Sequence, residues 1–473
     1  MIKGDRTIKI ILILLGDFLL LYAALLVALL VRYWPEPSWP IIDLHITPFT
    51  FIFPAWLVLF GAFGLYDIKF MKNGKQFLYR LLRAMATNTV FTIFVFYLVP
   101  LFELEPRRNL IIIAAVTTVF IFVWRVLFNV LIIRTPASRV LFFGTNKETT
   151  ELADYLLKNP QLGQQPIAFM SANREEPPGN AVGLPYFTQT TDLRHVAVDF
   201  SIDTIVISHG IKENKALVQA LFQVVPLGIS VIEFTNFHEM LTGKIPLSLI
   251  GEVWFLENLV GTKKPLYEFF KRGIDIIVAL ILGIPTLALL PFTALVIIAA
   301  TLKDVFSYKI RRARRGDGLL FFRQKRIGKN GTVFDFIKFR SYILGAENMH
   351  EAKEIANDQR QYAVGNFLRK SYLDELPQIW NIFRGEMSFV GPRPERPEYV
   401  EELKKTIPFY EMRLLVPPGI TGWAQINMEN DASVEDASEK MQYDLYYIKN
   451  RSFILDLLIL IRTISAILRR QGR

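Results

Sequence analysis

The chain has 473 residues, 52% of them hydrophobic, and a mean hydropathy of +0.30, which describes a membrane protein carrying soluble mass in about three domains. It contains no cysteine, which excludes disulfides, thiolate zinc sites and cysteine nucleophiles, and its five histidines argue against histidine-based acid–base chemistry. The net charge of +10 comes from bases that flank apolar segments, a placement that favours an anionic membrane surface over nucleic acid, for which no basic-aromatic motif is present.

Four apolar runs open the chain, near residues 10–31, 48–66, 84–102 and 110–133. Each approaches the ~20 residues that a helix needs to cross a bilayer. The first is too long, and too near the second, for a cleaved signal peptide. Lys3, Arg6 and Lys9 precede the first run, and Lys69, Lys72, Lys75, Arg80 and Arg83 fill the second connection. By the positive-inside rule, the amino terminus and everything after residue 134 face the cytoplasm. Asp17 and Arg125 fall inside the runs at similar depth. They either pair within the membrane, since an isolated charge there is costly, or each snorkels to the interface.

From about Arg139 the pattern turns to soluble α/β. Val140 to Phe143 reads as a strand, Gly144 as a turn and Lys147 to Leu157 as a helix. Thr204 to Ser208 and Ser230 to Phe234 read as strands, with a helix near Ala216 to Val225 between them. The alternation implies βαβ units in a Rossmann-like parallel sheet. The first turn, GTNKET, lacks the second and third glycines of a dinucleotide fingerprint, so a regulatory or dimerisation module is expected in place of a cofactor site. Leu241 to Leu259 is apolar and aromatic, and either follows the membrane surface or closes the domain's own core.

A fifth apolar run, Ile274 to Leu302, would exceed 40 Å as a continuous helix at ~1.5 Å per residue, against a hydrocarbon core of about 30 Å. Gly283, Pro285 and Pro291 interrupt it, and bases flank both ends, from Lys263 to Arg272 and from Lys303 to Arg315. If both flanks prefer the cytoplasm, the segment enters and leaves by one face, as a re-entrant helix–break–helix over 274–302 with Pro285 or Pro291 at the break. The expected organisation is a mixed membrane protein. A four-helix transmembrane domain (1–136) precedes a Rossmann-like α/β module (137–262), and an α-rich α+β cytoplasmic domain carrying the re-entrant hairpin follows (263–473).

The chemistry-bearing residues follow the hairpin. Lys329-Asn330-Gly331 is a turn between two strand-like pieces, and on the second, Lys338 and Arg340 share one face, where both reach a diphosphate. The stretch Leu368 to Pro397 gathers the adjacent carboxylates Asp374 and Glu375, the cations Arg369, Lys370, Arg384 and Arg393, and a stiff Pro-Arg-Pro turn. Carboxylates among clustered arginines suit phosphoryl transfer: one attacks or holds a metal while the cations offset phosphate charge. Ser371 as a helix N-cap, with Asp374 in capping-box position, is the competing structural reading. The second carboxylate, Glu375, favours chemistry. Val416 to Asn427, VPPGITGWAQIN, is turn-rich and lines the pocket, with Gln425 either a ligand or a structural hydrogen bond.

These segments carry a resemblance. K-F-R-S at Lys338 to Ser341, S-Y-L-D-E-L-P-Q at Ser371 to Gln378, V-G-P-R-P at Val390 to Pro394, P-G-I-T-G-W-A-Q at Pro418 to Gln425 and Y-D-L-Y-Y-I-K-N at Tyr443 to Asn450 resemble, in order and spacing, the bacterial sugar transferases. The four spans and the α/β module resemble the long members of that family, whose middle domain is CoA-binding-like. The resemblance implies a phosphoglycosyl transferase of the bacterial cytoplasmic membrane with its catalytic domain on the cytoplasmic face. By that analogy Asp374 attacks a UDP-sugar, UMP is released, and polyprenyl (undecaprenyl) phosphate resolves a phosphosugar-aspartyl intermediate. This is the first membrane step of exopolysaccharide, capsule, O-antigen or glycoprotein glycan synthesis. It further implies that Glu375 holds Mg²⁺ and that Arg393 and Pro394, with Lys338, Arg340, Arg369 and Gln425, contact the phosphates and nucleotide sugar. A homo-oligomer is compatible with it. Two departures stand out: Pro291 fits the family spacing better than Pro285, and Pro417 replaces a usual lysine or arginine. A membrane-anchored nucleotide-sugar dehydratase or epimerase is the rival enzyme, needing a second glycine-rich fingerprint and a Tyr-x-x-x-Lys pair. That spacing occurs only at Tyr267 to Lys271. A non-enzymatic assembly scaffold is the other rival.

Overall fold

The computed structural model describes residues 6–35, 38–66, 75–98, 107–134, 137–171, 183–188, 193–208, 215–260, 264–306, 320–342, 363–428 and 433–468. The chain divides into two compact units, Met1–Thr242 and Gly243–Arg473.

The first unit opens with four long helices, α1 (Arg6–Arg32), α2 (Trp39–Ala62), α3 (Lys75–Leu98) and α4 (Arg107–Arg134). By length and composition the described stretches Ile11–Arg32, Trp39–Ala62 and Asn109–Val130 can cross a membrane. The third helix carries Arg80, Arg83 and Asn88, and the expected run at 84–102 extends past its end into residues outside the described ones. Helices α1 and α4 approach closely because residue 16 is glycine: a Cβ there would lie 2.4 Å from the Trp124 indole. One residue on, Asp17 Oδ2 meets Arg125 Nη2 at 2.6 Å, with both side chains fully buried. The two charges therefore pair inside the bundle, as one of the two sequence readings expects, and do not snorkel. Trp56 Nε1 donates to Thr92 Oγ1 at 2.8 Å, tying α2 to α3.

The unit continues with β1 (Ser138–Phe143), α5 (Lys147–Lys158), β2 (Gln164–Met170), β3 (Tyr186–Phe187), α6 (Leu193–Asp199), β4 (Thr204–Ile207), α7 (Lys215–Val224), β5 (Ser230–Glu233) and α8 (Phe234–Thr242). All strand pairs are parallel, in the order β3-β2-β1-β4-β5, stepping outward from β1 in both directions. Central strands buried on both faces explain why β1 and β4 are continuous apolar runs. Leu141, Phe143, Ala168 and Ile205 fill one side, and Phe142 stacks on Phe169 on the other. At the first turn Asn146 caps α5, its side chain accepting from Thr149 N at 2.8 Å.

The second unit starts at Gly243, before the expected boundary at 262. Ile245, Ile250, Phe255 and Leu259 (Phe255 belonging to the short helix α9, Glu252–Phe255) are buried in its core, and the Phe255 ring lies 4.4 Å from Phe409. Part of this apolar stretch thus closes a core, that of the second unit and not of the α/β module, while Val253 and Leu256 remain exposed. Helix α10 (Pro265–Phe306) then runs for 42 residues through Gly283, Pro285 and Pro291, where a break between two helices was expected. Beside the two prolines, the hydroxyls of Thr286 and Thr293 bond to the carbonyls of Leu282 and Leu290.

Strands β6 (Phe321–Ile327) and β7 (Val333–Phe339) form the expected hairpin, turning at Asn330 and Gly331 with φ of 55° and 79°. After α11 (Ala363–Lys370), a 3-10 helix (Leu373–Gln378) leads into α12 (Ile379–Arg384) and β8 (Ser388–Val390). Helix α13 (Pro397–Thr406) and β9 (Gly419–Thr421), parallel to β8, follow, then α14 (Trp423–Asn427), α15 (Val434–Asn450) and α16 (Phe453–Leu468). The core joins Ile382 and Val390 to Leu445, Tyr447, Ile448 and Ile459.

Both ends of α10 pack on this one domain. Arg272 donates to the carbonyls of Ile382 (2.5 Å) and Phe383 (2.9 Å), Asp275 accepts from Phe389 N, Ala279 is in the core, and Ile297 packs with Phe339 and Leu368. Between them Ile284, Leu287, Phe292 and Leu295 are exposed.

Candidate active site

Asp374 and Glu375 lie in the first turn of the Leu373–Gln378 helix, which Tyr372 introduces in the left-handed conformation at φ 57°. The expected capping box is not formed. Ser371 Oγ bonds back to the carbonyls of Phe367 (2.8 Å) and Leu368 (3.1 Å), so it closes α11, and Tyr372 occupies the cap position without a side-chain bond. Asp374 is thereby released from the structural role that competed with chemistry.

Opposite the carboxylates stands β7. Lys338 Nζ lies 2.6 Å from Glu375 Oε1 and 3.9 Å from Asp374 Oδ2, and Arg393 Nη2 reaches the same Glu375 oxygen at 3.4 Å. The pair is thus split electrostatically. Burial pushes Asp374 up to about 6, Glu375 adding to the rise while Lys338, Arg369 and Arg393 oppose it. Burial would raise Glu375 as well, but Lys338 and Arg393 outweigh it and hold that carboxyl down at about 2. Two neighbouring carboxylates pushed apart in this way suit two different roles.

Asn381, which sequence reasoning missed, holds this arrangement. Fully buried in α12, it accepts from Ile337 N at 3.3 Å and donates to Asp335 O at 2.7 Å, fastening β7, and so Lys338, to the carboxylate segment. No local signal marked it, because its bonds reach β7 across 44 and 46 residues of sequence.

Arg393 projects from a turn that backbone contact locks in place. Gly391 N donates to Thr421 O and Gly419 N to Pro392 O, each at 2.9 Å. A Cβ on Gly391 would come within 2.3 Å of Pro417 O, one on Gly419 within 2.1 Å of Gly391 N, and one on Gly422 within 2.3 Å of Gly391 O. The V-G-P-R-P and P-G-I-T-G motifs are therefore two halves of one interlocked structure, and their glycines are required by proximity.

The remaining expected residues distribute unevenly. Arg369 lies over the Tyr342 ring at 4.9 Å and within electrostatic reach of Asp374. Pro394 is buried, its carbonyl accepting from Arg326 Nη1 at 2.9 Å. Arg340 is buried just past β7, its backbone N donating to Leu320 O at 2.9 Å. Gln425 Nε2 donates to Ile420 O at 3.0 Å, within its own turn, while its buried Oε1 has no described partner, so the structural bond is present and the ligand role stays open beside it. No cluster of three or more acidic or histidine side chains with metal-ligand spacing occurs among the described residues.

Among known proteins, residues 266–470 match the family described as bacterial sugar transferase, and residues 61–232 match one described as CoA-binding domain. A UDP-N-acetylgalactosamine-undecaprenyl-phosphate N-acetylgalactosaminephosphotransferase of Aeromonas hydrophila is 37% identical over 242 residues, 51% of this chain and 52% of that protein. A UDP-glucose:undecaprenyl-phosphate glucose-1-phosphate transferase of Klebsiella pneumoniae is 31% identical over 333 residues, 69% of this chain and 67% of that one. The exopolysaccharide production protein ExoY of Sinorhizobium fredii is 32% identical over 234 residues, 46% of this chain and 94% of its own length. The match spans about half the length of the Aeromonas protein and 45% of a UDP-galactose-lipid carrier transferase of Erwinia amylovora.

Proposed function

Because this chain belongs to the bacterial sugar transferase family, we propose that it transfers a hexose-1-phosphate from a UDP-sugar to polyprenyl (undecaprenyl) phosphate, releasing UMP. The observation that carries this reading is the split pair, Glu375 clamped by Lys338 and Arg393 while Asp374 stays loosely held beside the same cations. Asp374, ionised above about pH 6, attacks the β-phosphorus of the donor. The bond from that phosphorus to the bridging oxygen breaks, and UMP leaves with the electron pair. An oxygen of polyprenyl phosphate then attacks the same phosphorus, the aspartyl–phosphorus bond breaks, and a polyprenyl-diphospho-sugar results. Lys338, Arg369 and Arg393 offset the phosphate charge in both steps. Relatives named for undecaprenyl-phosphate substrates and for exopolysaccharide production support the acceptor and the kind of pathway.

The donor set fits Mg²⁺. Glu375 engages Lys338 and Arg393 through Oε1 alone, leaving Oε2 without a described partner. Mg²⁺ commonly takes one or two protein carboxylates and completes its shell with phosphate oxygens and water. Held by Glu375, the ion would neutralise charge on the diphosphate. Helix α10 enters and leaves the inner leaflet by one face, a reading supported by its two ends packing on the same domain while its middle is apolar and exposed. The domain then works at the cytoplasmic face of the inner membrane, and the Rossmann-like module serves regulation or dimerisation.

The test is UMP release from a panel of UDP-sugars with Mg²⁺ and polyprenyl phosphate. Lipid-dependent release by the parent, abolished by Asp374→Asn and Glu375→Gln in folded protein, is the expected outcome. No release from any donor by folded, membrane-inserted parent rejects the transferase, and undiminished turnover by Asp374→Asn rejects the nucleophile.

A further inference from the structure

Behind the Pro-Arg-Pro turn lies a buried ionic cage to which the chemistry above assigns no part. Four successive carbonyls of the turn are bonded from outside it. Pro392 O accepts from Gly419 N, Arg393 O from Arg413 Nη2, Pro394 O from Arg326 Nη1 and Glu395 O from Ile327 N, each at 2.9 Å. The reason is local. Pro392 and Pro394 have no N–H, so the turn cannot pair its own carbonyls and needs donors from elsewhere. Two of those donors are guanidiniums, and a shared anion fixes both. The Glu395 carboxylate lies 3.6 Å from Arg326 Nη1, 3.7 Å from Arg413 Nη1 and 2.6 Å from Lys440 Nζ. Arg413 is further held by the Tyr410 hydroxyl at 2.5 Å and by Asp444 at 2.8 Å, and is almost fully buried. Lys440 and the two arginines hold Glu395 ionised at about 2 against the opposing effect of burial.

Buried charges cost desolvation energy that a fold has no need to spend on stability, since well-packed apolar residues commonly serve as well. Here five charged groups converge on one turn, and the single guanidinium that turn presents to Glu375 is Arg393, at 3.4 Å. We infer that Arg413 and Arg326, locked by Glu395, are positioning residues. They fix the backbone of Arg393 so that its guanidinium meets the donor diphosphate. The inference rests on the transferase reading and adds to it the parts that aim Arg393.

The experiment is a double-mutant cycle on full-length protein, with Arg413→Lys and Arg326→Lys each combined with Arg393→Ala. Both lysine variants keep the charge and lose the paired donors. If they act through Arg393, each raises the donor KM about tenfold in the parent, the scale expected from a small misplacement of a charged contact, and changes it less than twofold once Arg393 is alanine. Equal fold-losses in both backgrounds would overturn the inference and leave a structural role. Should Arg413→Lys fail to fold, Arg326→Lys and Glu395→Gln carry the same cycle. Affinity for UDP, measured by calorimetry, supplies a second readout that needs no turnover. A parent that binds UDP without releasing UMP from any sugar donor would reject the transferase reading, and the cycle in UDP affinity would still decide the inference. A parent that binds no UDP would reject both.

Discussion

At the scale of single residues, Asp374 is tuned against stability. Its folded-state pKa of about 6 exceeds the ordinary carboxyl value, so between about pH 4 and 6 the folded chain holds the proton more tightly than the unfolded chain does. Stability from this group therefore falls as pH rises through that window, and the loss is complete by about pH 7. Glu375 has the opposite sign, contributing stability above its unfolded value and losing it as pH falls toward about 2. Asp374→Asn should accordingly abolish UMP release and yet stabilise the fold by ~1–3 kcal/mol at pH 7.5, the gain shrinking toward zero near pH 4. Melting temperatures of parent and variant at the two pH values check this, and a gain independent of pH, or a loss, contradicts it. If Asp374 is the nucleophile proposed above, turnover of the parent should also fall about tenfold per unit below pH 6, as its carboxylate protonates. The motif placed both carboxylates, and the resemblance gave them separate roles, but the electrostatic division between them was not legible in it. That division depends on burial and on Lys338 and Arg393, which approach from 37 and 18 residues away. The cage around Glu395 was hidden for the same reason, its members lying on β6, the Tyr410–Leu415 helix and α15.

Elements were legible where their signal is local. The strands at 140–143, 204–208 and 230–234, the helix from Lys147 and the turn at Lys329-Asn330-Gly331 all appear within a few residues of their expected bounds. Hydrophobic period and turn chemistry specify them without help from distant contacts. Strand β2, with a proline at its third position, and the two-residue β3 carry weaker local signals and were missed. Helix α10 shows the limit of local reading, since two prolines suggested an interruption and the chain runs on as a helix. Its 42 residues would reach ~63 Å if straight, twice the hydrocarbon core. With Arg272, Asp275 and Ile297 fastened to one domain, the economical arrangement has both ends on one side of the membrane. The cysteine-free sequence makes this testable with single thiols at Thr262→Cys and Ser307→Cys. Both should react with an impermeant maleimide in inverted vesicles, and neither in intact cells. Labelling from opposite sides would establish a full span.

For the molecule as a whole, the informative boundary is Gly243. Composition suggested a catalytic region from residue 263, because the apolar stretch before it suits a membrane surface as well as a core, and hydrophobicity alone does not say which core. The structure gives that stretch to the C-terminal unit. Ile245 N bonds to Gln442 O at 3.2 Å, Gly243 O accepts from Trp423 Nε1 at 2.9 Å, and Lys244 pairs with Glu439. Trp423 belongs to the P-G-I-T-G-W-A-Q motif that locks the Arg393 turn, so the segment supports the site and not merely the domain's edge. Removing it would expose the core contacts of four buried side chains, Ile245, Ile250, Phe255 and Leu259, each worth about 1.5–3 kcal/mol when fully buried, a sum comparable with the whole stability of a typical domain. Two truncations separate the possibilities. A chain beginning at Gly243 should insert, fold and release UMP from the donor that the full protein uses. One beginning at Lys263 should lose cooperative unfolding and activity together. Equal activity from both would show that the 243–260 segment is dispensable to the core it fills. Loss of folding in both would show that the second unit depends on the first.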